Sequence, residues 1–461
     1  MNNERSARLG TMPMPQLMWK ISLPIMFSML IQALYNIVDS MFVAKYSSQA
    51  LAAVSLAFPV QMLMIAVGVG TGVGLNSLIS RLLGEKHLSE ARATANNGIF
   101  LAVISWAAFA LIGGLLSEPF FRAFTQDEAT IAMGNDYLRI VTIFSFGLFM
   151  QLAVEKIMQA SGNTVYNMIV QCVGAVINIV LDPIFIFGLG PIPSMGVAGA
   201  AIATVIGQFA AMILGFIINQ KKNKELSIKL KGFRPNKRII KSIYIVGFPS
   251  IIMQSIGSVM TIFMNMILIS FGDIAVSVLG VYFKLQSFVF MPVFGLTNGL
   301  IAVIGYNFGA RNRKRIYDAI KVALIYALII MAVGTLAFML VPETLLSLFE
   351  SQEEAIAGEL TRIGVPALQI ISIGFLMAAV GIILSTVFQA IGNGVLSLIM
   401  SLARQLIVLL PMAWLLAQWK GLDAVWWAFP VAEVVSLIIC LFMYRWADKK
   451  YLKPIGAALE E

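Results

Sequence analysis

Twelve times along its 461 residues the chain stays apolar for long enough to cross a bilayer, and this constrains the fold more than any other feature. A helix needs about 20 apolar residues to span the hydrocarbon. The runs lie at 17–44, 51–81, 94–116, 136–159, 164–188, 197–219, 241–270, 278–308, 317–341, 360–390, 395–418 and 423–446. Lipid offers no partner to backbone N–H and C=O groups, so each run is expected to be a helix. The short alternating segments of a membrane barrel are absent from the sequence. The first run has no small-residue cleavage site after it and reads as a span, not a removable signal. Composition agrees: 12% of residues are charged, where a soluble domain carries about 25%. Too few charges remain to coat a water-facing surface. The expectation is an all-α, multi-pass protein of the inner (cytoplasmic) membrane, not a soluble enzyme.

A net charge of +9 would point to nucleic acid if the basic residues shared a soluble face. They do not. With the N-terminus placed in the cytoplasm, 26 of 32 Lys and Arg fall on that side, Lys156 and Arg404 counted among them. Nine lie between Lys221 and Lys241 alone. The bias places both termini in the cytoplasm. Attraction to anionic lipid headgroups then accounts for the charge, and no nucleic-acid partner is needed. The opposite side is acidic, with Glu118, Asp127 and Glu128 in one loop and Glu343, Glu350, Glu353 and Glu354 in another. These read as solvated loops.

The chain also repeats. Shifted by 225 residues, 24–84 overlies 249–309 with 12 of 61 positions identical, including Pro24/Pro249, Gln61/Gln286, Gly70/Gly295, Gly74/Gly299 and Gly84/Gly309. Gln159-Ala160-Ser161-Gly162-Asn163 is echoed by Gln389-Ala390-Ile391-Gly392-Asn393. Six spans per half, both halves starting from one side, make parallel repeats with a path expected between them near the midplane. The division is residues 1–219 as one six-helix lobe, 220–240 as a basic linker, 241–446 as the second lobe and 447–461 as a tail.

Ionisable groups inside a membrane are costly and usually functional. In the first span Gln32, Tyr35, Asn36 and Asp39 form one helical stripe. In the fifth, Gly174, Asn178 and Asp182 share a face near Gln171, and Asp182 precedes Pro183, which removes a backbone bond. Each acid could instead sit at headgroup level. Apolar surroundings favour a neutral carboxyl, and two carboxyls in one cavity would titrate as a pair. That is a proton-coupling device, with sodium at Asp39 and Asp182 as the alternative. Asp39 aligns with Met264, so coupling chemistry is concentrated in the first half. Weaker cavity candidates are Gln61, Glu155, Gln286, Lys284 as counter-ion or snorkelling lysine, and Met253, Met260 and Met291 as polarizable wall or filler. For Glu155 and Lys156 the alternative is local pairing; for Glu433, a buried structural partner.

Phosphate loops, zinc motifs and nucleophile elbows are missing. Two cysteines and one histidine exclude a disulfide scaffold and leave no ligand set for zinc. No cofactor or resident metal is expected. Gly68 to Gly74, glycine at every second position, lies inside the second span and reads as close helix packing or a bendable helix, not a nucleotide loop.

The run Asn178-Ile179-Val180-Leu181-Asp182-Pro183-Ile184-Phe185-Ile186-Phe187-Gly188, followed by Gly196-Val197-Ala198-Gly199-Ala200-Ala201-Ile202-Ala203-Thr204, resembles the fifth and sixth helices of multidrug and toxic compound extrusion (MATE) transporters. Tyr35-Asn36-Ile37-Val38-Asp39 and the Gln159–Asn163 segment do so as well. The resemblance implies two six-helix lobes and antiport of cationic or amphipathic drugs against protons or sodium. It places the coupling site on Asp39 and Asp182, with Tyr35, Asn178 and Thr204 around them. Acids expected on the seventh and tenth helices of the branch with a second-lobe cation site are missing, so the chain looks closer to the DinF-like, proton-linked branch. A monomer is expected, contacting membrane lipids and small-molecule cations. The alternative is a flippase for a lipid-linked precursor.

Overall fold

In the computed structural model, residues 5–229, 231–348 and 357–455 are described. Glu350, Glu353 and Glu354 lie outside them, as do residues 456–461 of the tail. The described residues form helices joined by loops, with no strand among them. Ten helices are each long and apolar enough to cross a membrane, and two bent pairs complete twelve spans.

The first six are α1 (Met14–Tyr46), α2 (Ser48–Gly84), α3 (Leu88–Phe124), α4 (Glu128–Ile143 and Phe146–Ala160), α5 (Thr164–Phe187) and α6 (Gly196–Lys222). The second six are α7 (Lys237–Leu268), α8 (Asp273–Gly309), α9 (Arg313–Leu340), α10 (Ala357–Ser372 and Phe375–Ala390), α11 (Gly394–Lys420) and α12 (Leu422–Leu452). Several outrun the apolar spans because capping residues set their ends. Ser47 accepts from the Ala50 amide before α2, and Asn236 from the Arg238 amide before α7. Asp127 caps α4; the Thr130 hydroxyl, aided by backbone amides, holds its carboxyl below the usual carboxylate range.

Spans α4 and α10 are not continuous, and reading the apolar runs alone misses this. They bend by 44° and 49°. Both breaks carry the same Ser-x-Gly, Ser145-Phe146-Gly147 and Ser372-Ile373-Gly374. Ser145 Oγ donates to the Thr142 carbonyl and Ser372 Oγ to the Gln369 carbonyl. Such back-bonding competes with the helical ladder and bends it.

Helices α1–α6 pack into one lobe and α7–α12 into another; α1 and α2 cross between lobes to meet α7 and α8. The glycines matched by the repeat make that crossing. A Cβ on Gly70 would lie 2.6 Å from the Ile251 amide nitrogen, and one on Gly74 2.1 Å from the Ile243 carbonyl. From the other lobe, Gly295 meets Met26 and Gly299 meets Ser22. Gly84 and Gly309 sit against the Tyr306 and Arg81 carbonyls. These contacts occupy the basic end of the bundle. The N-terminal segment seals it, Leu9 O accepting from Asn307 and Arg315. The connection at 220–240 is pinned, not loose: Asn219 and Gln220 donate to the Leu226 and Ile228 carbonyls, and Arg92 to Glu225 O.

Candidate functional site

Beyond the crossing, each lobe holds a cavity. Along α1, Ser22 and Met26 touch α8, and the next turns line the cavity of the first lobe, about 190 Å3. The whole predicted stripe faces it: Gln32, Tyr35, Asn36 and Asp39. Thr204, Gln61, Glu155 and Gln171 join from α6, α2, α4 and α5. Asp39 thus lies on the wall of this cavity.

Behind this wall Asp182 is completely buried. Asn178, one turn earlier, donates from Nδ2 to Asp182 Oδ1 and to Thr204 Oγ1, each at 3.3 Å. The Asp182 carboxyl faces that of Asp39. Neither Asp39 Oδ1 nor Asp182 Oδ2 has a donor, and Asn178 Oδ1 is buried without one too. Carboxylates only accept. Two facing carboxylates with orphaned oxygens have a place for one proton between them, or for a hard cation among oxygen ligands. Gln171 steers Gln32 by donating to its Oε1 at 3.0 Å, and Gln61 donates to Tyr137 OH at 2.9 Å.

The second lobe holds a cavity of about 390 Å3. Gln286, Met253, Met260 and Met291 line it, so these four predicted residues are apart from the acid pair. Helix packing turns all three methionines toward this cavity, not toward lipid.

Two charges fall elsewhere than expected, and a third has a place on the surface. Lys284 is exposed and lines neither of these two cavities. Lys156, counted with the basic end, is buried on α4, where Nζ donates to Gln159 Oε1 and across the lobes to Asn298 Oδ1. Glu155 accepts from Gln151, and the two neighbours do not pair locally. Arg404, also counted with the basic end, points into the second cavity and pairs with Glu433 at 3.4 Å.

The family model MatE matches this chain twice, over residues 24–184 and 249–415, one copy per lobe. The chain belongs to the MatE family. It is thus a multi-pass membrane transporter and not an enzyme. The multidrug export protein MepA of Staphylococcus haemolyticus is 28% identical over 92% of both chains. That of Staphylococcus aureus is 27% identical, over 97% of this chain and 98% of its own. Among solved structures, an outward-facing multidrug resistance MATE transporter of the MOP superfamily superposes with a TM-score of 0.90, at 27% identity, covering 98% and 99% of the two chains. A MATE protein in complex with MaL6 gives 0.91, at 26% identity over 98% and 100%.

For this MatE chain, reading the sequence misses Tyr137, Gln208 and Asn298 around the first cavity and Arg404 in the second. Tyr137 had a usable signal, a hydroxyl within a predicted span. Asn298 did not, since its place in the first cavity depends on how the lobes dock.

Proposed function

We propose that the chain exports cationic or amphipathic drugs in exchange for protons, with coupling at Asp39 and Asp182. The observation that carries this reading is the buried carboxyl pair, each member with an oxygen that lacks a donor, opening through Asp39 and Thr204 onto the first cavity. A shared proton satisfies the pair. An organic cation entering the cavity favours two carboxylates and expels that proton, and a returning proton weakens the cation's hold. Binding of one thus opposes binding of the other, which is the linkage an antiporter needs. Tyr35, Gln32, Asn36 and Gln61 offer a polar rim, and Met29, Met62 and Phe58 an adaptable wall for varied ring systems.

With the basic end in the cytoplasm, the lobe crossing closes that side and both cavities lie toward the outside. The multidrug export by the MepA relatives supports the substrate class. A second coupling ion also has an observation in its favour: Asp39 Oδ1, Asn178 Oδ1 and Asp182 Oδ2 are three orphaned hard oxygens, as sodium would require. The test is ethidium transport in vesicles under an imposed pH gradient, with and without sodium. Proton-driven transport should persist in sodium-free buffer. Strict sodium dependence with no response to the pH gradient would overturn the proton reading in favour of the second.

A further inference from the structure

The first cavity holds a cation that the proposed coupling site does not use. Lys156, Gln159 and Asn298 line it together. Lys156 is only 4% exposed, and among the described residues it forms no ion pair. Its ammonium donates instead to two neutral amides, Gln159 Oε1 one turn along α4 and Asn298 Oδ1 on α8. The first acceptor moves with the lysine's own lobe, the second with the other. Asn298 is itself held: Nδ2 donates to the Phe294 carbonyl at 2.8 Å, and its backbone carbonyl accepts from Asn76 Nδ2 of α2 at 3.4 Å.

The glycines of α2 give the lysine its route. Gly70 and Gly74 meet α7, whereas a Cβ on Gly72 would stand 2.5 Å from Lys156 Cγ. Without that Cβ the stem passes over α2 and brings Nζ to the seam between the lobes. The repeat provides no counterpart. By the Gln159/Gln389 match Lys156 corresponds to Thr386, whose hydroxyl donates to Ile382 O within its own helix, and by the Gly74/Gly299 match Asn298 corresponds to Val73. A buried ammonium needs acceptors, and hydrogen bonds to a charged donor are the strong ones. Parting the lobes at the basic end, as alternating access requires, takes Asn298 away. Gln159 stays, and so does Glu155 on the same wall. We propose that Lys156 is a positioning residue for transport: its ammonium latches the first lobe to Asn298 of the second and must release it each time the basic end opens.

The test is hydrogen exchange of the full chain in detergent, without substrate, at 75–84 and 300–309, which reports the population opened at the crossing. Lys156→Met keeps a stem over Gly72 and removes the ammonium, so exchange in both segments should rise about tenfold. Asn298→Val removes the acceptor from the other lobe and should do the same. Asn298→Asp turns that acceptor into a carboxylate. It should slow exchange by about tenfold and lower the maximal rate of ethidium transport in vesicles, because the latch then releases less readily. The double variant Lys156→Met, Asn298→Asp should lose the slowing, whereas a lysine that only fills space predicts no slowing to lose. Exchange within about twofold of the native chain in both Lys156→Met and Asn298→Val, or slowing by Asn298→Asp that persists in the double variant, would overturn the proposal. Failure of the native chain to transport ethidium would count against the export reading alone, because the exchange measurements decide this one.

Discussion

Gly84→Ala should force the lobes apart at the basic end. A Cβ at Gly84 would stand 1.9 Å from the Tyr306 carbonyl oxygen and 2.9 Å from the Ala310 nitrogen. Carbon–oxygen contacts between helices settle at about 3.3–3.6 Å, so α2 and α8 must part locally by about 1.4 Å. No side chain can absorb this, because both near atoms belong to backbone. Overpacking a well-packed contact costs about 1–3 kcal/mol. Here the cost falls on the conformation closed at this end, because the contact joins two lobes. A bias of that size changes the ratio of closed to open forms roughly 5- to 150-fold. The assay is hydrogen exchange of the full chain in detergent, followed at 75–84 and 300–309. Exchange should rise in both segments together, with little change in the cavity segments. Unchanged exchange with normal transport would refute the reasoning, because the crossing would then have slack that the geometry denies it. Gly190 is the control: its φ is +65°, but a Cβ there has nothing within 4 Å, so Gly190→Asn, a residue that tolerates this conformation, should leave both segments unchanged.

Other outcomes follow from the first cavity and its surroundings. Asp182→Asn should abolish export while leaving expression and monodispersity close to the native chain's, since Asn178 keeps Thr204 as a partner; native-level ethidium export by this variant would refute the role. In the native chain, cation affinity should tighten as pH rises, because deprotonation of the pair creates the negative charge that the drug prefers. Asp39→Asn should flatten that dependence, and an affinity level from about pH 5.5 to 8.5 in the native chain would remove the mechanism. Asp127 has a lowered carboxyl, so its contribution is present above the ordinary carboxylate range, about pH 4, and is lost as pH falls through its lower folded value. Asp127→Ala should therefore speed exchange at the Thr130 amide at neutral pH, and the difference should close in strong acid.

Much of this architecture is legible in one dimension because the bilayer enforces local rules. A span must be apolar and internally hydrogen-bonded, so twelve helices, their approximate limits and the orientation bias are written in runs and charges. The polar stripe of α1 was readable for the same reason: Gln32, Tyr35, Asn36 and Asp39 share one face by helical period alone, and lipid excludes that face. The repeat marked Gly70, Gly74, Gly84 and their partners as a matched set, although spacing along a single helix could not say what they touch.

Tertiary structure decided where groups from distant helices meet. Only docking of α1 against α5 sets Asp39 before Asp182 with no donor between them, and only docking of α4 against α8 carries Lys156 to Asn298. Charge counting assigned Lys156 and Arg404 to the basic end because position along a span locates a residue to within a turn or two. A buried cation, however, is stabilised by its partners, and those partners come from other helices. Lys284 and Arg404 are both basic residues in apolar surroundings by sequence, yet the first is exposed and the second pairs with Glu433 on a cavity wall. Hydrophobicity is a property of each segment. The pairing of charges depends on which segments are neighbours.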